Sequence, residues 1–222
     1  MRKFKIPPKL REGQYNYLWV LIALINMLLS PIYVAFFPAF DRLIISINFS
    51  LIIVASIQIC SIRRHHLVVG AILGVASLIS IWLQMTVEWS SQIRTIRAVI
   101  VIFFFIYMTK NTFKWLLINS AISLNIIFAA VVGFLLLGYV GGLLFELLDI
   151  YLPGSLVGNS IRLENYYHYA YFSFVTLTSL GYGDIVPTNE AAQSLSLFIG
   201  IVGQFYFTII IAILVGKYLS TN

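Results

Sequence analysis

Long apolar stretches, each broken by a few polar residues, recur from one end of the chain to the other. They run from Tyr17 to Phe37, Leu43 to Ile62, Leu67 to Val87, Ile93 to Thr109, Ile126 to Leu148 and Ala191 to Leu219. About 20 apolar residues in a helix cover the hydrocarbon core of a bilayer, so each stretch predicts a crossing helix. The breaks carry stop signals: Pro38 and Asp41, then Arg63-Arg64-His65-His66, then Glu88. The fourth stretch is the weakest, because Arg94 and Arg97 interrupt its start. Residues 110–125 mix Trp115, Leu116 and Ile118 with Lys114, Asn119 and Ser120, which suggests a helix lying at the interface, the start of the fifth span being the alternative. Gly133, Gly138, Gly141 and Gly142 in the fifth stretch would let other helices approach closely. The polar segment from Asp149 to Asn165, with Pro153, Gly154 and Gly158, reads as a loop. The aromatic segment Tyr166 to Thr178 is only about 13 residues long and too short to cross, so it must enter and return, with Pro187 closing the excursion.

The expected fold class is therefore an all-α membrane protein. Six transmembrane helices carry a re-entrant helix and loop between helices 5 and 6. The chain divides into a four-helix unit at 1–109, an interfacial linker helix at 110–125 and a second unit at 126–222.

Composition excludes a soluble domain: 60% of the 222 residues are hydrophobic and 10% charged, against about 25% charged in soluble proteins. The single cysteine, Cys60, can form no internal disulfide and reads as a small apolar residue. The net charge of +6 sits in short loops, so it speaks to orientation rather than to nucleic acid. With a cytoplasmic amino terminus, Arg2, Lys3, Lys5, Lys9, Arg11, Arg63, Arg64, Lys110, Lys114 and Lys217 all fall on the cytoplasmic side, beside one acid, Glu12. That places both termini in the cytoplasm of a multi-pass protein of the plasma (or inner) membrane. The basic start resembles a signal peptide, but the apolar run after it is too long for one and reads as an uncleaved span. No nucleophile–base pair and no metal-ligand cluster emerges, which argues against an enzyme and against any bound cofactor.

One motif carries chemistry: Thr176-Leu177-Thr178-Ser179-Leu180-Gly181-Tyr182-Gly183-Asp184. Non-helical backbone at membrane depth is tolerated only where protein buries it or where it lines a water-filled cavity. An extended backbone turns successive carbonyls to one side when left- and right-handed torsions alternate, and glycine adopts the left-handed ones at little cost. Gly181 and Gly183 occupy alternate positions, as this requires. The Ser179 hydroxyl adds one further oxygen at the inner end.

At these residues the chain resembles the potassium-channel pore family, over about Ile126 to Leu219, and specifically its six-span, single-pore bacterial-type members. The resemblance implies a selectivity filter at Ser179, Leu180, Gly181, Tyr182 and Gly183, with K+ held at Ser179, Leu180, Gly181 and Tyr182. It implies a homotetramer in contact with membrane lipids, with K+ as the transported ion and no nucleic-acid partner. Tyr166 to Thr178 looks like the pore helix, with Tyr171 and Phe172 at the aromatic cuff that packs on the filter tyrosine. Val175, Thr178 and Asp184 complete the filter's support. Gly203, 20 residues beyond Gly183, matches the family's hinge glycine, and Ile211, Ala212, Val215 and Leu219 match the inner pore lining.

Two departures stand out. Serine replaces the family's usual threonine at the innermost filter position. This keeps the hydroxyl but loses the methyl that stiffens it, so a weakly selective monovalent cation channel is an alternative reading. On this ground Ser179→Thr is expected to keep or sharpen selectivity. Val175 stands where some relatives carry a glutamate, so Asp184 must pair with Tyr171 or a water instead. A voltage-gated potassium channel is a further alternative, but only Arg94 and Arg97 keep the every-third spacing of a sensor helix and no acid faces them from the second span. These arginines are expected to snorkel to the outer interface, leaving the first four spans a degenerate sensor. His65 and His66, at the inner interface, suit lipid head groups or a pH sensor.

Overall fold

The computed structural model describes residues 16–57, 64–83, 91–119, 123–158 and 165–221. The basic amino-terminal stretch, Cys60, Arg63 and Glu88 lie outside them. Within them the order is α1 (Asn16–Phe36), α2 (Asp41–Ile57), α3 (Arg64–Leu83), α4 (Ser91–Ile118), α5 (Leu124–Tyr151), β1 (Leu156–Gly158), α6 (Tyr166–Leu177), β2 (Ile185–Pro187) and α7 (Glu190–Thr221). Five segments are long and apolar enough to cross a membrane: Tyr17–Phe36, Pro38–Ile57, Gln92–Ile118, Leu124–Tyr151 and Glu190–Lys217. The apolar part of α3, Leu67–Leu83, is shorter. The chain is a helical, multi-pass membrane protein.

Two expectations are corrected. Residues 110–118 form no separate interfacial helix but continue α4 without a break. The reason is periodicity: Ala98, Val101, Phe105, Met108, Thr112 and Leu116 make one buried stripe at three- and four-residue steps across the expected boundary. The polar residues between them ride on the opposite face. The second correction concerns the loop before α6, where Leu156–Gly158 pairs antiparallel with Ile185–Pro187, opposing Val157 to Val186. Three-residue strands are too short to leave a periodic pattern.

Helices α1 to α4 pack in sequence, and both α1 and α4 also lie against α5. Leu24, Met27, Ile52, Ile53, Phe104, Phe105 and Tyr139 fill the shared core. The Tyr139 hydroxyl donates to the carbonyl of Leu24 at 2.8 Å, stitching α5 to α1. Tyr17 packs on Trp115 with ring centroids 4.7 Å apart. Helix α6 also packs against α5, and its Tyr166 meets Phe49 of α2 at 5.0 Å. A Cβ at Gly142 would come within 2.8 Å of the Ala170 Cα, so glycine lets the two backbones meet. Tyr206 of α7 donates to the carbonyl of Ala130 in α5. At the far end of α7, the Lys217 ammonium donates to the carbonyls of Leu116 and Asn119, which α4 leaves unpaired at its end.

Arg97 does not snorkel. Its guanidinium meets the Glu146 carboxylate of α5 at 2.5 Å, with 17% and 16% of the two side chains exposed. An acid sits within reach, and pairing satisfies a charge that the apolar interface would otherwise strand. Glu146→Gln is expected to lower stability by about 2 kcal/mol by removing the carboxylate charge against the guanidinium, a figure reduced for the remaining solvent access. The double variant Arg97→Gln/Glu146→Gln should recover most of the loss. Unfolding of the purified chain in detergent checks this.

Candidate functional site: an extended loop beneath a half-length helix

Helix α6 turns Tyr166, Tyr169, Ala170, Ser173 and Leu177 inward, and Ser173 donates to the carbonyl of Gly138 in α5 at 2.8 Å. The helix ends as the hydroxyls of Thr176 and Thr178 fold back on the carbonyls of Phe172 and Phe174. The chain then leaves the helical region, because Ser179 has φ of 59°.

From there the torsions alternate. Positive φ occurs at Ser179 (59°), Gly181 (59°) and Gly183 (78°), and at neither Leu180 nor Tyr182. The amides are held from one side. Thr178 N–H donates to the carbonyl of Phe174 at 2.9 Å, Ser179 to Thr176 at 3.0 Å, and Leu180 to Val175 at 3.0 Å. The amide of Gly181 also reaches the Val175 carbonyl, at 3.4 Å. No described residue donates a hydrogen bond to the carbonyl oxygens of residues 179–183. Leu180 and Tyr182 stand 59% and 66% exposed in the single chain.

The two glycines were legible in the sequence; the third left-handed position, at Ser179, was not. A left-handed L-residue costs about 1–2 kcal/mol, and a β-branched one is a genuine outlier. Ser179 carries that cost as part of the alternation.

Beyond the loop, the Tyr171 hydroxyl donates to Asp184 Oδ2 at 2.7 Å, the partner that replaces a glutamate at Val175. That hydrogen bond, with smaller contributions from desolvation and the Asp184 charge, pushes the phenol up to about 12. A raised pKa means the link is intact below the ordinary tyrosine range and is lost only as pH rises through about 12. Around the loop, Asp149 receives the amides of Gly154 and Ser155 at 3.0 and 3.1 Å and the Tyr169 hydroxyl at 2.7 Å. Asn189 caps α7 by accepting the amide of Ala192 at 2.9 Å.

Not every expected site residue gathers here. Phe172 packs edge-on against Phe145 of α5 at 4.8 Å. Its position on α6 falls on the buried face, whereas Tyr171 falls on the exposed one. Val175 is buried and acts through its carbonyl. Gly203 lies where α7 crosses the end of α6: a Cβ there would overlap the carbonyl oxygen of Leu177. Helix α7 continues unbroken through it, so close approach already accounts for this glycine. Ile211, Ala212, Val215 and Leu219 lie further along α7, exposed. Gln204, which the sequence reading passed over, reaches Ser179: its Nε2 donates to the Ser179 Oγ at 2.6 Å. A glutamine in the middle of an apolar span was the available signal. It borders an open cavity of about 590 Å³ with Thr176, Ser179, Ser196 and Thr208 among its lining residues.

The ion channel family matches residues 121–220, a range that holds α5, the loop and nearly all of α7. This match, together with the relative below, supports a potassium channel pore family. A 36-residue stretch is 44% identical to Potassium channel K2 of Plasmodium berghei (strain Anka), covering 16% of this chain and 2% of that protein. The chain thus spans a very small part of that relative's length. No solved structure matches it significantly.

Within this pore segment, Gly203→Ala is expected to cost about 2 kcal/mol, since backbone must move. Gly200→Ala, whose Cβ would have its nearest neighbour at 3.8 Å, should be neutral or stabilising by up to about 1 kcal/mol. Melting of the two variants in detergent separates them.

Proposed function

We propose that the chain is the subunit of a potassium-selective channel that conducts K+ passively. In this reading four copies surround one axis, each contributing six spans, with α6 as the pore helix. The observation that carries it is the alternation of left-handed torsions at Ser179, Gly181 and Gly183 beside carbonyls that no described residue claims. A dehydrated K+ needs rings of oxygen dipoles in place of its water. One strand offers a single column of oxygens; a ring needs several copies, and the family resemblance makes it four. The ions then sit between the levels of Ser179, Leu180, Gly181 and Tyr182. The exposure of Leu180, Tyr182, Ile211, Val215 and Leu219 in one chain fits surfaces that other copies or the pore water cover. The name of the Plasmodium relative accords with K+ as the ion.

Steep voltage gating is not part of this proposal. Each charge that crosses the membrane field supplies about 2.3 kcal/mol per 100 mV. Helix α4 offers only Arg94 and Arg97 in its outer part, and Arg97 is tied to Glu146. The positive-inside pattern supports cytoplasmic termini. A weakly selective cation pore remains the second reading, on the strength of Ser179 alone.

Purified chain in liposomes is expected to take up rubidium, to be blocked by barium and to lose uptake on Gly181→Ala, because alanine at φ of 59° disrupts the alternation. Crosslinking in the same preparation should stop at a tetramer. Undiminished uptake by Gly181→Ala would mean that ions pass elsewhere.

A further inference from the structure

We infer that Gln204 is a positioning residue for the innermost ion site, holding the Ser179 hydroxyl in place of the missing threonine methyl. The inference rests on the reading of residues 179–183 as the filter. Ser179 is the only level of the loop whose ligand set includes a freely rotating side-chain oxygen. Threonine restricts such a hydroxyl through its second substituent on Cβ. Serine has none, and its backbone stands at φ of 59°. The chain therefore needs another way to fix the oxygen.

Gln204 provides it. Its amide Nε2 lies 2.6 Å from Ser179 Oγ, across 25 residues of sequence. A hydroxyl oxygen has two lone pairs; the amide takes one, which orients the other and removes rotational freedom. Gln204 can do this because its neighbour Gly203 lets α7 run directly beneath the Leu177 carbonyl at the end of α6. The same cavity is bordered by the hydroxyls of Thr176, Ser196 and Thr208 and by Leu197, Ile201 and Phe205, and Gln204 is the one side-chain amide among the described residues in its lining. Four such bonds around the axis would hold four hydroxyls at one radius, and a fixed radius is what separates K+ from the smaller Na+.

A merely structural role is distinguishable. Bi-ionic reversal potentials and barium block are measured in planar bilayers for the parent chain, Gln204→Leu, Gln204→Asn, Ser179→Ala and Gln204→Leu/Ser179→Ala. Gln204→Leu is expected to lower the K+/Na+ permeability ratio about tenfold and to weaken barium block similarly, the scale of a lost hydrogen bond. Gln204→Asn, one methylene short, should lose nearly as much although it keeps an amide. In the Ser179→Ala background, Gln204→Leu should change the ratio by less than about twofold, because its partner is gone. Multiplying effects in the double variant, or a Gln204→Leu chain as selective as the parent, would overturn the inference while leaving the filter reading standing. A parent chain that does not discriminate K+ from Na+ would overturn both.

Discussion

Backbone amides inside a bilayer have no water to satisfy them, and everything around the loop at 179–183 follows from how this chain meets that constraint. The last turn of α6 accepts the amides of residues 178–181 through the carbonyls of Phe174, Val175 and Thr176. With the N–H groups held to one side, the peptide planes alternate and the carbonyls are left unclaimed. A half-length helix is what makes this arrangement available, since its terminal carbonyls lack partners within the helix.

The rest of the molecule holds that helix end in place. Glycines on α5 admit α6 at backbone contact, and Gly203 admits α7 beneath it. Asp149 and the short β1–β2 pairing tie the segments before and after the loop together, and Tyr171 secures Asp184 at its outer end. Further out, α1 and α4 brace α5, with the Arg97–Glu146 pair and the Tyr139–Leu24 hydrogen bond among the polar contacts. Arg97 ties one end of α4 to α5, and Lys217 of α7 binds carbonyls at its other end.

The helices were legible because a bilayer imposes a length on them, and the loop because glycines at alternate positions have few other uses. The elements that escaped lack a period of their own. The strands at Leu156–Gly158 and Ile185–Pro187 are too short for alternation to register. The continuity of α4 through residue 118 depends on a stripe that ends in Thr112 and Leu116 among polar neighbours. Glu146 was visible as an acid at the edge of a span, but which cation it meets is set by tertiary packing. The left-handed serine and its glutamine partner were hidden for the same reason: a torsion and a contact across 25 residues leave no local pattern.

The central claim is that an ordered column of backbone oxygens in this loop strips and passes K+. The bi-ionic reversal potential of the purified parent chain tests it most directly, with potassium on one side, sodium on the other and no soluble factor added. The account predicts a current that reverses far toward the potassium equilibrium potential, with rubidium accepted almost as well. A reversal near zero, with sodium carried as readily as potassium, would contradict it.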